Sequence, residues 1–208
     1  MRTSVYIDGF NLYYGCAKGT PYRWLDLGKL CSLLLRGHTI TRLRYFTALV
    51  GPRPGDPDKR FRQQTYIRAL ETIPGLSVHY GHFLSGPERM LVANPLPGRS
   101  RTVEVVRTQE KGSDVNLATF LLMDGFRGDY ELAVVISNDS DLKTPIELLR
   151  AELGLQVGVL SPHRNTSHAL RTAASFYQPI RKGVVAASLF PGAMSDARGR
   201  TITKPPRW

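Results

Sequence analysis

The sequence predicts an α/β fold: a mostly parallel sheet of five core strands, helices on both faces, and a small inserted strand pair. Three observations carry that expectation. Short apolar runs alternate with helix-spaced apolar stripes along most of the chain. Two of the runs, Val5-Tyr6-Ile7 and Leu132-Ala133-Val134-Val135-Ile136, are unbroken, as buried strands require. Asp8 closes the first run, and Asp139 and Asp141 follow the second, at the strand ends where parallel sheets bind ligands.

The elements follow in order. Residues 4–7 read as the first strand. After the polar stretch 15–23, Leu25, Leu27, Leu30, Leu33 and Leu34 recur at helical spacing. Residues 43–50, rich in aromatic and β-branched side chains, read as the second strand. A turn follows at Gly51-Pro52-Arg53-Pro54-Gly55-Asp56-Pro57. Phe61, Thr65, Ala69 and Leu70 give a helical stripe that Pro74-Gly75 ends, and 76–84 is the third strand. The stretch 85–112, broken by Pro, Gly and Arg, reads as an inserted pair of strands or an ordered loop.

Ser113 then reads as the N-cap of a helix running to about Asp124, with Gly125 near its end. Residues 132–136 are the fourth core strand, 142–153 a helix stopped by Gly154, 157–160 the fifth strand and 165–174 a last helix. If strands one and four are neighbours where the strand order reverses, Asp8 converges with Asp139 and Asp141.

Composition narrows the function. At 208 residues and 42% hydrophobic, the chain can bury one sizeable core. No window approaches the roughly 18 apolar residues of a membrane span, and Met1-Arg2-Thr3-Ser4 leads directly into a strand without a signal-peptide layout. The expectation is a soluble, cytoplasmic protein. Cys16 and Cys31 are too few for a disulfide framework and have no zinc-like spacing. A net charge of +11 favours phosphate backbones or anionic surfaces as partners. Residues 181–208 carry six Lys and Arg against the single acid Asp196, and read as a flexible basic tail.

Asp139 and Asp141, two apart around Ser140, can line one crevice as a strand turns into a helix. Unpaired carboxylates at a strand end persist most readily where a cation binds them. Oxygen donors without neighbouring His or Cys favour Mg²⁺ or Mn²⁺ over Zn²⁺. Each acid also has a structural role open to it. Asp139 or Asp141 can cap the following helix, and Asp114 can complement a helix dipole. Asn11 can orient a carboxylate or cap a short helix.

Three blocks carry a family resemblance: Asp8-Gly9-Phe10-Asn11-Leu12, Lys111-Gly112-Ser113-Asp114-Val115-Asn116-Leu117-Ala118 and Ser137-Asn138-Asp139-Ser140-Asp141-Leu142. Together they resemble the signature blocks of NYN-domain proteins, a branch of the PIN-like ribonucleases, and most closely those of the bacterial LabA type. The resemblance spans about residues 3–180. It implies a PIN-like three-layer α/β/α sandwich as a nuclease domain over 1–180, with 181–208 as the tail. It also implies metal-dependent endoribonuclease chemistry. Asp8, Asp114, Asp139 and Asp141 fall on the family's acidic metal positions, and Asn11 on its first-block Asn. Asn138 and Leu142 depart from a third block that often reads Ser-Gly-Asp-Ser-Asp-Phe, and Ser113 stands where Val is common. No carboxylate is lost.

RNA is the implied partner. Lys111, Arg53, Arg60 and Arg62 are the candidate phosphate contacts, joined by Arg42 and Arg44 at a basic rim. Each of these is equally a solvated surface charge. Tyr13, Tyr14, Tyr22 and Trp24 are candidates for base stacking or for core packing. His79 and His82 read as structural. Phosphate-loop and dinucleotide-binding glycine runs are missing. The alternative is a non-catalytic RNA-binding or regulatory module that keeps the acids as part of the fold. A homodimer or a regulatory protein partner is left open.

Overall fold

A computed structural model describes residues 1–52, 55–206 and 208. The chain runs β1 (Arg2–Asp8), α1 (Gly9–Leu12), a π-helical turn (Tyr13–Ala17), α2 (Leu27–Leu34), β2 (Thr39–Ala48), α3 (Lys59–Leu70), β3 (Leu76–Leu91) and β4 (Thr102–Lys111). It continues with α4 (Ser113–Phe126), β5 (Leu132–Ile136), a 3₁₀ turn (Ser140–Leu142), α5 (Lys143–Leu153), β6 (Gln156–Ser161), α6 (His168–Ala173), β7 (Phe176–Pro179), α7 (Lys182–Ala187), β8 (Ala193–Ser195) and β9 (Thr201–Thr203).

These elements form the expected α/β sandwich. Its main sheet has the order β4-β3-β2-β1-β5-β6-β7, and a separate small sheet pairs β8 with β9. All neighbours in the main sheet are parallel except β3 and β4. The five anticipated core strands are β1, β2, β3, β5 and β6. The short edge strand β7 was not anticipated, and with β4 it brings the sheet to seven strands. β1 lies between β2 and β5, so the strand order reverses there and the first and fourth core strands are neighbours. That adjacency sets Asp8 beside the chain leaving Ile136.

The alternation of side chains along β1 divides the core. Val5 and Ile7 enter one hydrophobic cluster with Trp24, Leu27, Leu30, Leu43 and Leu70. Tyr6 points into the opposite one with Phe46, Leu117, Leu121 and Ile146. The buried face of α3 is Thr65, Tyr66, Ile67, Ala69 and Leu70, while Phe61, expected in its apolar stripe, is 66% exposed. Phe61 sits in the first turn, ahead of the buried residues, which begin at Thr65.

Two segments differ from their sequence reading. The stretch 85–112 is the strand pair rather than a loop: β3 runs on to Leu91 and pairs antiparallel with β4 as a long ribbon. Residues 181–208 are not a free tail over their described part. Val185, Phe190 and Ile202 are buried in the first cluster, and Trp208 packs edge-on to Trp24, ring centroids 6.2 Å apart. The Trp24 indole N–H donates to the Pro191 carbonyl at 2.8 Å, which ties the segment down. Among the described residues no helix is long and apolar enough to cross a membrane.

Candidate functional site

Asp8 stands at the carboxyl end of β1 and is only 5% exposed. Its Oδ1 accepts the Asn11 amide hydrogen at 2.9 Å, capping α1, and its Oδ2 accepts from the Ser137 hydroxyl at 3.0 Å. The start of α1 can lie this close to β2 because residue 9 is glycine. A Cβ there would lie 2.6 Å from Tyr45 Cζ and 2.7 Å from the Phe46 carbonyl oxygen.

The loop after β5 is fastened to the same place. Asn11 Oδ1 accepts the Asn138 amide hydrogen at 2.9 Å. Ser137 Oγ accepts from the Asp139 amide at 3.1 Å, and Asp139 Oδ1 accepts from the Asp141 amide at 3.0 Å, capping the 3₁₀ turn. Asn138, one of the departures from the family pattern, is a tether. Its Oδ1 accepts from the Ser167 amide at 2.9 Å and the Tyr177 hydroxyl at 2.8 Å, and its Nδ2 donates to the Asn165 carbonyl at 2.9 Å.

Asp114 arrives from the other side. Gly112, at φ 94°, turns the end of β4 into α4 through a left-handed conformation that suits glycine. Gly112, not Ser113, occupies the N-cap position. Glu110 supplies the missing cap: its Oε1 accepts the Ser113 amide hydrogen at 3.1 Å.

Asp8, Asn11, Asp114 and Asp139 line one open cleft of about 660 Å³, together with Glu110, Lys59 and His163. Phe83 and Thr108 of the β-ribbon form its outer wall. Asp141 lies outside this lining, exposed on the 3₁₀ turn. Burial pushes the Asp8 carboxyl up to about 6; the Asn11 and Ser137 hydrogen bonds pull it down, and the charges of Asp114 and Asp139 push it further up. Asp114 is raised too, by desolvation and then by the charges of Asp139, Glu110 and Asp141. The acids therefore repel one another across the cleft. Glu110 and His163 were missed from the sequence; the signal available for Glu110 was its place four residues before Asp114.

The expected basic contacts are placed differently. Lys111 and Arg60 are exposed and do not line the cleft. Arg62 lines an adjoining cavity and makes a two-oxygen pair with Asp56 at 2.6 Å. Arg53 lies outside the described residues. Arg44 is not part of a phosphate rim: its guanidinium clamps the fully buried Asp124 at 2.7 and 3.0 Å, and Arg42 pairs with Asp129 at 2.9 Å. His79 stacks on Phe46 at 5.0 Å inside that structural network.

The donor set is mainly one for a hard cation: the cleft offers carboxylate and amide oxygens and no thiolate, although His163, against expectation, adds an imidazole to the lining. It is not a preformed cage. Among the described residues no three His, Cys, Asp or Glu side chains are grouped closely enough to hold a metal ion by themselves. Mg²⁺ tolerates such spacing because it keeps several of its waters.

The NYN domain model matches residues 2–181, which is most of the chain and contains all four acids. The chain is an NYN-domain protein. NYN domains belong to the PIN-like nucleases, a group that typically uses divalent metals. The 6-hydroxy-3-succinoylpyridine 3-monooxygenase HspA of Pseudomonas putida is 29% identical to this NYN protein, over the whole chain and 75% of its own length. A crystal structure of a protein of unknown function from Vibrio parahaemolyticus superposes with a TM-score of 0.56 at 17% identity, covering 91% of this chain and 96% of that one. That likeness speaks for the fold.

Proposed function

We propose that this NYN protein is a metal-dependent endoribonuclease hydrolysing RNA phosphodiesters. The observation that carries the reading is the convergence of Asp8, Asp114 and Asp139, from three separate elements, on one cleft of a chain with net charge +11. Asp8, Asp114 and Asp139 would hold one or two Mg²⁺ or Mn²⁺ ions, with Asp141 near enough to add charge through its effect on Asp114. A divalent cation held by these carboxylates would lower the pKa of a water there and offset charge on the phosphodiester.

The chain's own residues do the positioning. Ser137 and the Asn11 amide fix both oxygens of Asp8, and the Asn11 side chain holds the Asn138 loop that brings Asp139 to the same cleft. Lys59, on the cleft wall, provides positive charge beside an acid cluster that would otherwise repel a polyanion.

The test is cleavage of a single-stranded RNA by the full chain with Mn²⁺, with EDTA and with Asp139→Asn. Asparagine caps a helical turn as well as aspartate does, so this variant removes charge and keeps the fold. Cleavage should fall by about 10²-fold or more. Normal cleavage by Asp139→Asn, or cleavage that persists in EDTA, overturns the reading. RNA binding without cleavage would instead mark a non-catalytic RNA-binding module. A second reading is favoured by the name of the P. putida relative, which acts on a substituted pyridine. In that reading the cleft serves a small aromatic substrate and the protein leaves RNA uncut.

A further inference from the structure

Phosphodiester chemistry leaves one cavity unused. It measures about 160 Å³ and adjoins the acid cleft, with Phe10, Tyr14, Val50 and Lys59 lining both. Its walls are aromatic. Tyr13 and Tyr14, edge to face at 5.4 Å, come from the π-helical turn, a rare conformation that recurs at functional sites. Tyr66 and Trp208 close it from α3 and the C-terminal segment, with ring centroids 5.1 Å apart. The Tyr66 hydroxyl is already committed, donating to the Leu25 carbonyl at 2.8 Å, so that wall is fixed in place. Arg23, Lys59 and Arg62 line it too, with Asp56 offsetting the charge of Arg62, to which it is paired.

We propose that this cavity binds one flat six-membered aromatic ring carrying an anionic arm, with the arm directed to Lys59 where the cavity meets the acid cleft. Size favours a single ring: an apolar cavity of about 150 Å³ holds a benzene, and a fused pair would have to extend out of this one into the cleft. Aromatic walls contribute stacking and edge contacts, and Lys59 at the junction with the cleft favours an anionic arm. Two sources share that chemistry, a pyrimidine nucleotide and a free aromatic carboxylate. The site stands independently of the nuclease reading; if RNA is the substrate, the ring is a pyrimidine base beside the cleaved phosphate.

The experiment is a titration of the full-length protein, followed by calorimetry and ligand-observed NMR. The probes are uridine 5′-monophosphate and benzoate, their neutral counterparts uridine and benzamide, and adenosine 5′-monophosphate for size. Saturable binding of either anionic probe supports the site, and which of the two binds tells the source. Adenosine 5′-monophosphate should bind about tenfold more weakly than the uridine nucleotide because the fused ring overfills the space. Tyr13→Ala should weaken binding about fivefold. Lys59→Gln, at a half-exposed rim position, should weaken the anionic probes about fivefold while leaving the neutral ones unchanged. Asp139→Asn, in the cleft but not in the cavity, should leave ring affinity within about twofold. A cleavage assay that fails while ring binding survives thus sinks only the nuclease reading. Saturable binding by neither anionic probe, or binding indifferent to both Tyr13→Ala and Lys59→Gln, overturns the inference.

Discussion

Replacing Asp8 with asparagine is expected to stabilise the metal-free protein while removing its response to metal. The reasoning begins with the direction of the shift. Asp8 titrates at about 6 in the folded chain, above its ordinary value, chiefly because it is buried. The folded state therefore binds this proton more tightly than the unfolded state does. As pH falls through about 6 towards 4, Asp8 adds stability; above 6 its ionised form costs the fold. A shift of about two pH units corresponds to about 3 kcal/mol at neutral pH. In the asparagine variant the side-chain oxygen still accepts from the Asn11 amide, but the amide nitrogen replaces an oxygen that accepted from Ser137. Allowing for that weaker contact, a gain of about 2 kcal/mol is expected.

In a chain of 208 residues, about 2–4 °C of Tm accompany each kcal/mol, so Tm should rise by about 4–8 °C in EDTA at pH 7.5. Near pH 4, where wild-type Asp8 is protonated, the difference should vanish. Manganese acts in the opposite sense. At 100 times its dissociation constant it should stabilise the wild type by about 2.7 kcal/mol and the variant hardly at all. Differential scanning calorimetry with and without Mn²⁺ at the two pH values reads all of this. A variant that melts at or below the wild type in EDTA at pH 7.5, or that gains as much from Mn²⁺, refutes the account of Asp8 as a buried charge kept for a cation.

Three further outcomes are expected. Arg44→Met leaves the buried Asp124 carboxylate with only Tyr6 and Arg42 as partners, and should cost about 3–5 kcal/mol in urea unfolding. Asp124 is held below its ordinary value despite its burial, by Arg44, Tyr6 and Arg42, so it stabilises the wild type above the usual carboxylate range. The variant's acid unfolding should accordingly begin at higher pH. Gly9→Ala drives a methyl group into Tyr45 and the Phe46 carbonyl, and should lower stability by about 1–3 kcal/mol and weaken the Mn²⁺-induced Tm shift. A chain ending at residue 181 removes Val185, Phe190 and Ile202 from the core and uncovers Trp24. It should lose cooperative thermal unfolding, whereas a free tail could be deleted without effect.

The positions of Asp8 and Asp139 were legible because one ends and the other closely follows a strand whose side chains are buried on both faces, a pattern that needs only local sequence. Arg44 shows where that stops. Its alternation with Arg42 on β2 looks like a basic surface, and nothing nearby in sequence announces Asp124, eighty residues on, which turns it inward. The last segment failed for the same reason. Val185, Phe190, Ile202 and Trp208 follow neither a helical nor a strand period, and their burial depends on Trp24 and Tyr66, early in the chain. The aromatic cavity was only half visible. Tyr13 and Tyr14 stood out as stacking candidates, but the π-helical turn that presents them and the Trp208 wall are products of tertiary contact.

Capping accounts for the positions of these acids and not for their charge. Asp8 caps α1, Asp139 caps the 3₁₀ turn, and Glu110 caps α4. Asparagine would serve the first two caps, and a glutamine the third, without the buried charge and mutual repulsion that raise Asp8 and Asp114. A fold selected for stability alone gains by that exchange at each position. Keeping all three ionisable groups facing one cleft has a physical rationale only when something positive occupies the space between them for part of the time. Lys59 on the cleft wall offsets part of that charge, whereas Arg44 and Arg62 are already paired elsewhere and Lys111 and Arg60 do not line the cleft. The proposed divalent cation would offset the rest, and the cleft's oxygen donors suit one.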